Sequence, residues 1–382
     1  MGHSKTGGIT ALKSWKIGKG GRKLNQNRKI KGVRSMALAL CGALALALTP
    51  AAGAFELPWA RTPKPGVVTT TKTLVPVGHT VGIKLFSDGV LVVGLSQIDT
   101  PAGAQEPAKS CGLREGDIIT HINRQEVDTI EEVQAVLAAS DGETMSIRAL
   151  RGDTPVELTT RAVQCGADGS YKLGAWIRDS MAGIGTMTFY DPESGVFGAL
   201  GHGVSDVDTL RLMPLSRGAI LHASVTGVEK GQVGDPGQLR GAFDLSRDVG
   251  QLYANTTSGI FGTLQTADAI TLGEALPVAT REEVKVGEVT ILSNIQGDEV
   301  KKYTAEILRV YPDNPGDPRN LLIKVTDKEL LEKTGGIVQG MSGSPILQDG
   351  KIVGAVTHVL LNNPTQGYGI LAENMLRAAG VA

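Results

Sequence analysis

The sequence predicts a mainly β protein in which a small α+β module precedes a larger all-β region. Three observations point there. The 382 residues exceed what one ordinary core holds and imply about two domains. Gly is abundant at 50 residues, aromatics make up only 4%, and the apolar residues fall into short Val-, Ile- and Thr-rich runs broken by Gly, Pro, Asn and Asp. Helical spacing is confined to two short stretches, residues 131–139 and 373–379.

The net charge of −1 hides an asymmetry: residues 1–35 hold ten Lys or Arg and no acid. Such a tail would suit nucleic acid, but an apolar run at 36–48 (MALALCGALALAL) follows it directly. After Thr49-Pro50 comes Ala52-Gly53-Ala54, and the whole reads as a secretory signal. The run is shorter than the ~20 residues of a spanning helix, so it serves either as a cleaved signal or as a retained anchor with its N-terminus cytoplasmic. Export, membrane association through the N-terminus and no nucleic-acid partner are therefore expected. Residues 1–55 form this basic and signal region, and the Pro- and Thr-rich residues 56–73 a linker. Cys111 and Cys165 either pair after export or remain buried thiols. Neither lies in a CxxC or Cys-His cluster, so no metal and no cofactor is expected.

Residues 74–164 form the first module. Val81-Gly82-Ile83-Lys84-Leu85 alternates as a strand, and a second strand starts after the turn Ser87-Asp88-Gly89. Thr129 with Glu132 makes a capping box at the head of the 131–139 helix. Two strands follow, at 144–150 and 155–163. The segment GLREGDIITHINRQEV resembles the signature of PDZ domains. That resemblance implies that Val81, Gly82, Ile83, Lys84 and Leu85 are the carboxylate-binding loop and following strand, with an extended peptide tail or internal segment adding to the strand's edge. The plainer alternative is a PDZ fold that only packs against the rest of the chain.

A polar stretch at 164–170 marks a boundary, and 171–382 reads as β-runs, among them 219–228, 286–292, 321–325 and 352–359. A sandwich or a double barrel follows from this spacing. Near its end stands Gly340-Met341-Ser342-Gly343-Ser344-Pro345-Ile346, leading into a hairpin. A weak nucleophile such as Ser must be presented at a bend with its Oγ free. Gly340 permits an otherwise strained backbone, and the N–H groups of Gly340 and Ser342 can converge on one developing oxyanion. Gly-x-Ser-Gly alone is as well explained by a hairpin turn. The full segment resembles the Gly-x-Ser-Gly-Gly-Pro pattern of chymotrypsin-like proteases, which implies a double β-barrel; Ser344 in place of the second Gly is a departure.

Such a Ser needs a base. His202 lies in Gly201-His202-Gly203 at the end of an apolar strand, 140 residues before Ser342. His358 is the runner-up, and His222 reads as a strand residue. The acid that orients the imidazole is open on physical grounds among Asp327, Asp206, Asp208 and Asp244.

The order of signal segment, PDZ-like module, GALGHG, GQVGDPGQLRG and VTDKELLEKTGGIVQGMSGSPILQDGKIVGAVTHVLLNNPTQGYGI resembles the stage IV sporulation protein B (SpoIVB) peptidases. The resemblance implies a catalytic Ser342, His202 and Asp327. It also implies secretion from the forespore into the intermembrane space, self-cleavage near the N-terminus, and cleavage of a membrane-bound regulator of an intramembrane protease, which lets a late sigma factor mature. A general quality-control protease and a catalytically inactive PDZ scaffold are the rival readings.

Overall fold

The structure, a computed structural model, describes residues 72–265, 273–312, 314 and 317–381, and of 245–247 the backbone alone. The expected basic region, the signal or anchor at 36–48 and all but the last two residues of the 56–73 linker lie outside the described residues.

The chain enters through β1 (Thr73–Pro76) and β2 (Thr80–Leu95). Two strands and a turn were expected over β2, but the chain runs straight through. Gly89 adopts φ +81° and gives its N–H to Asp128 Oδ1 at 2.8 Å, so Ser87-Asp88-Gly89 forms a bulge inside one strand rather than a hairpin.

The module that follows contains β3 (Ile98–Thr100), β4 (Gly103–Gln105), α1 (Pro107–Ser110), β5 (Asp117–Ile122) and β6 (Gln125–Glu126). It continues with α2 (Ile130–Ala139), β7 (Thr144–Arg151), β8 (Thr154–Arg161), β9 (Val163–Gln164) and β10 (Tyr171–Lys172). The capping box is present: Thr129 Oγ1 accepts the Glu132 N–H at 3.2 Å and Glu132 accepts the Thr129 N–H at 3.0 Å. Val133, Val136 and Leu137 of α2 meet Val90, Val92, Ile119, Ile122 and Ile147 in the module's own core.

Next come β11 (Ala175–Tyr190), β12 (Val196–Ala199), β13 (Arg217–Glu229), β14 (Gln238–Thr256), β15 (Gly259–Leu264) and β16 (Leu276–Pro277). Around the ring β2–β11–β12–β15–β14–β13 each strand bonds the next, and β13 returns to β2, closing a barrel of six strands. The last part holds β17 (Gly287–Gln296), β18 (Glu299–Val310), β19 (Leu321–Val325), α3 (Lys328–Thr334), β20 (Pro345–Gln348), β21 (Lys351–Leu360), β22 (Asn363–Leu371) and α4 (Ala372–Ala379). Its strands close a second barrel in the order β17–β18–β19–β22–β21–β20. The fold is therefore mainly β, an α+β module with a chymotrypsin-like pair of barrels.

The expected domain limits of 74–164 and 171–382 need correction. β2 and β11 pair along their length, from Thr80–Thr186 in the barrel to Leu95–Ala175 in the module. The first barrel thus begins upstream of the module, and the module is inserted between its first two strands. Local alternation cannot reveal this, because the partner of β2 arrives only after the whole module has been threaded.

The barrels meet through buried Phe189, Phe261, Ile352, Ala355, Ile370 and Met375. Phe189 lies so close to Gly198 that a Cβ there would stand 2.5 Å from the ring. Phe189→Ala is expected to lower stability by about 3–5 kcal/mol, measured as a fall in the denaturant midpoint at unchanged slope.

Candidate active site

The base-bearing segment leaves β12 through two consecutive left-handed residues, Leu200 at φ +68° and Gly201 at φ +68°. This sharp bend turns His202 away from the barrel wall. Gly is needed at 201 for contact as well as conformation: a Cβ would lie 2.9 Å from both Thr357 Cγ2 and Ile370 Cγ2. The end of β12 is thereby pressed against β21 and β22 of the second barrel.

The serine segment approaches from that second barrel. Gly340 and Gly343 take φ +98° and +97°, values that favour glycine. A Cβ on Gly343 would fall 2.0 Å from Thr186 O and 2.6 Å from Leu200 N. Ser344, in place of a glycine, is fully buried and donates to Ser293 Oγ at 3.1 Å, so its hydroxyl is accommodated by β17. The segment is tied down by Met341 N–H to Val338 O at 3.1 Å, Ser344 N–H to Met341 O at 3.0 Å and Gly343 N–H to Val356 O at 2.8 Å. The N–H groups of Gly340 and Ser342 have no acceptor among the described residues, which leaves the two expected oxyanion donors available.

Thr186, buried on β11, joins the two segments. Its Oγ1 donates to Gly340 O at 2.8 Å. Its N–H donates to Ser342 O at 2.9 Å, and its own carbonyl accepts the Leu200 N–H at 3.1 Å. The segments bearing Ser342 and His202 are thus joined at one point between the barrels. Ser342 Oγ donates to Thr357 O at 2.5 Å rather than to the imidazole. Beyond Thr357, the His358 ring lies 4.8 Å from that of His202, centroid to centroid.

His202 Nδ1 donates to Gly203 O at 2.9 Å, because a carbonyl can only accept. In the neutral ring Nε2 is then the basic lone pair. Enclosure of the ring pushes the His202 pKa below the ordinary 6.5, against a smaller upward pull from the Gly203 carbonyl. His358 keeps part of its surface exposed, yet is likewise pushed down, by desolvation first and then by the charges of His202 and Arg319. Both shifts favour the neutral form of the imidazole.

Asp327 is not beside either ring. Its Oδ1 accepts the Leu330 N–H at 2.9 Å as the cap of α3, and its Oδ2 accepts the Thr304 N–H at 3.3 Å. The expectation that it orients the imidazole is not met in this structure. A helix start claims the carboxylate first, and Asp-x-x-Leu before an amphipathic turn was the signal for it. Asp206 is buried but paired with Arg178, and it accepts Thr209 N–H and Oγ1 at 2.8 Å; Asp208 also bonds Arg178, at 3.0 Å.

The peptide edge expected at Val81, Gly82, Ile83, Lys84 and Leu85 is also corrected. These residues pair with β11 on one side and β13 on the other, and Val81, Ile83 and Leu85 face inward. The strand beside α2 is instead the start of β11, whose Asp179 accepts the Ile130 N–H at 3.0 Å. Cys111 and Cys165 are both free thiols. Asp88, Glu126 and Asp128 form one acidic group on the module, and Asp128 is already bound to the Gly89 N–H.

Residues 169–376 match the family described as SpoIVB peptidase S55, more than half of the chain. The chain belongs to that family. Residues 99–151 match the PDZ domain. This S55 peptidase is accordingly a PDZ-containing serine endopeptidase. No curated protein matches the chain. Among solved structures, the PDZ domain of an SdrC-like protein from Listeria monocytogenes is 20% identical with a TM-score of 0.20, over 24% of this chain and 87% of that one. The active form of the Rv3671c protease from M. tuberculosis is 18% identical, TM-score 0.29, over 65% and 86%. The HtrA-type protease AlgW with a decapeptide is 13% identical, TM-score 0.32, over 53% and 52%.

Thr186→Val keeps the shape of the side chain but strands the buried Gly340 carbonyl, a cost of about 1–3 kcal/mol. The expected result is at least a ten-fold fall in kcat with KM within a few-fold, from steady-state hydrolysis of a peptide. Asp327→Asn retains a good cap and is expected to leave both stability and hydrolysis near wild type, whereas Asp327→Ala loses about 0.5–2 kcal/mol. Loss of hydrolysis in a stable Asp327→Asn protein would restore a direct role for the carboxylate.

Proposed function

We propose that the chain hydrolyses peptide bonds through Ser342 and His202, and that it does so outside the cytoplasm on a membrane-associated regulatory protein in sporulation signalling. The observation that carries the chemistry is the Thr186 junction, which holds the serine segment against the strand end that bears the histidine. In the reaction Ser342 Oγ leaves Thr357 O and turns to His202 Nε2. That nitrogen takes its proton as the oxygen bonds the scissile carbonyl carbon. The carbonyl oxygen gains negative charge and receives the N–H groups of Gly340 and Ser342, each worth about 3–4 kcal/mol in such a site. The proton then passes from Nε2 to the departing amine, and water reverses the sequence on the acyl-enzyme. Gly203 O keeps the proton on Nδ1 throughout.

The hydroxyl's bond to Thr357 O supports a resting state that needs a rearrangement before turnover. The PDZ module offers the place where a peptide tail or internal segment docks, and the groove between α2 and the start of β11 is the candidate. Family membership supports the sporulation role, self-cleavage and a regulator of an intramembrane protease as substrate. The basic residues and apolar run of 1–54 support export and a membrane-attached start.

Ser342→Ala and His202→Ala are each expected to abolish self-cleavage and peptide hydrolysis while remaining folded. In a spore-forming host, Ser342→Ala is expected to block maturation of the late sigma factor, and normal maturation would remove the signalling role. Because the base must be neutral and its pKa is lowered, the acid limb of kcat/KM is expected below pH 6.5. A limb at or above that value would contradict a desolvated His202.

A further inference from the structure

Every trypsin-like mechanism needs something to hold the imidazole tautomer, and among the described residues no carboxylate is hydrogen-bonded to His202. Its Nδ1–H goes to the Gly203 carbonyl at 2.9 Å. That carbonyl belongs to the same planar trans peptide as the Val204 N–H, so the two point in opposite directions. The Val204 N–H donates to Asn255 Oδ1 at 2.8 Å. Fixing the N–H on Asn255 therefore aims the carbonyl at the imidazole.

Asn255 is itself fully engaged. Its Nδ2 donates to Val204 O at 2.9 Å and to Met213 O at 2.8 Å. One acceptor and two donors are used, and the reversed amide would set oxygen against two carbonyls, so the orientation follows from the partners. Asn255 is the penultimate residue of β14, just before a turn closed by Ser258 N–H to Thr256 Oγ1 at 3.1 Å and Thr256 Oγ1 to Gly259 O at 3.0 Å. The loop after His202 is thus sewn to a rigid hairpin of the same barrel.

We propose that Asn255 is the positioning residue for the general base, acting through the Gly203–Val204 peptide in the place a carboxylate takes in a Ser-His-Asp triad. The chain of bonds from Asn255 Oδ1 through the peptide to Nδ1–H polarises along its length, so it supports the imidazolium formed in the reaction. An Asp at this position would serve worse than Asn, because its second oxygen would face the Val204 and Met213 carbonyls. The inference rests on His202 being the base.

The test uses the full chain carrying Asn255→Ala or the isosteric Asn255→Asp, with thermal unfolding as a check on the fold. Hydrolysis of a peptide substrate is followed against pH, and the His202 tautomer is read by 15N NMR of the imidazoles, with His202→Gln assigning the signal. The expected result is a loss in kcat on the order of 10²-fold, the cost of a small misplacement in such a site, with KM changed by less than a few-fold. The acid limb should move, and the Nδ1–H signature of the wild type should give way to a mixture. Should Asn255→Ala not fold, Asn255→Asp carries the test. Unchanged kcat, acid limb and tautomer in a folded variant would overturn the proposal. Hydrolysis surviving in His202→Ala would instead remove His202 as the base, and the NMR tautomer would still decide whether Asn255 holds the ring.

Discussion

The fold and the chemistry meet at Thr186. One residue on β11 accepts from the strand end that carries His202 and donates twice to the turn that carries Ser342. The barrels also share a buried cluster and a Leu239 N–H to Gln339 O bond at 2.8 Å, but Thr186 is the residue that bonds both segments at once. Side-chain packing between barrels tolerates small slips, whereas three hydrogen bonds to one buried residue do not. The close contacts of Gly201 and Gly343 follow from the same constraint, since the strands approach so nearly that neither position has room for a Cβ.

Much of this was legible in the sequence. The Gly-x-Ser-Gly turn and the Gly-His-Gly bend each announce themselves because a glycine at a defined offset from a reactive side chain is a local requirement. The capping box at Thr129 and the strands of the second barrel were readable for the same reason, as patterns complete within a few residues. The long pairing of β2 with β11 was not, since an alternating run looks alike as a barrel stave or as a PDZ edge. Asp327 shows the opposite weakness. The family resemblance drew a catalytic reading of Asp327, while the short helix it caps escaped notice at only seven residues. Asn255 carried no signal at all, because its importance lies in the orientation of a peptide plane 51 residues away.

The site stands in a resting arrangement whose parts are already made. Among the described residues the Gly340 and Ser342 N–H groups have no acceptor, Nε2 is the basic nitrogen, and the serine hydroxyl is occupied with Thr357 O. The neighbouring His358 narrows the electrostatic range of the cleft, since two rings at 4.8 Å resist carrying two charges.

The shared staves of β2 and β11 bear on how the enzyme can be dissected. Cutting the chain between a recognition unit and a catalytic unit presumes a tether that can be severed, as with beads on a string. Here both strands that leave the PDZ core continue as walls of the first barrel. A truncation starting at residue 171 would leave that barrel open, with unpaired edges and an exposed interior. Loss of activity in such a fragment would report collapse of the catalytic scaffold, not release from control. Any force or ligand acting on the inserted unit reaches the catalytic half through stiff backbone instead of slack chain.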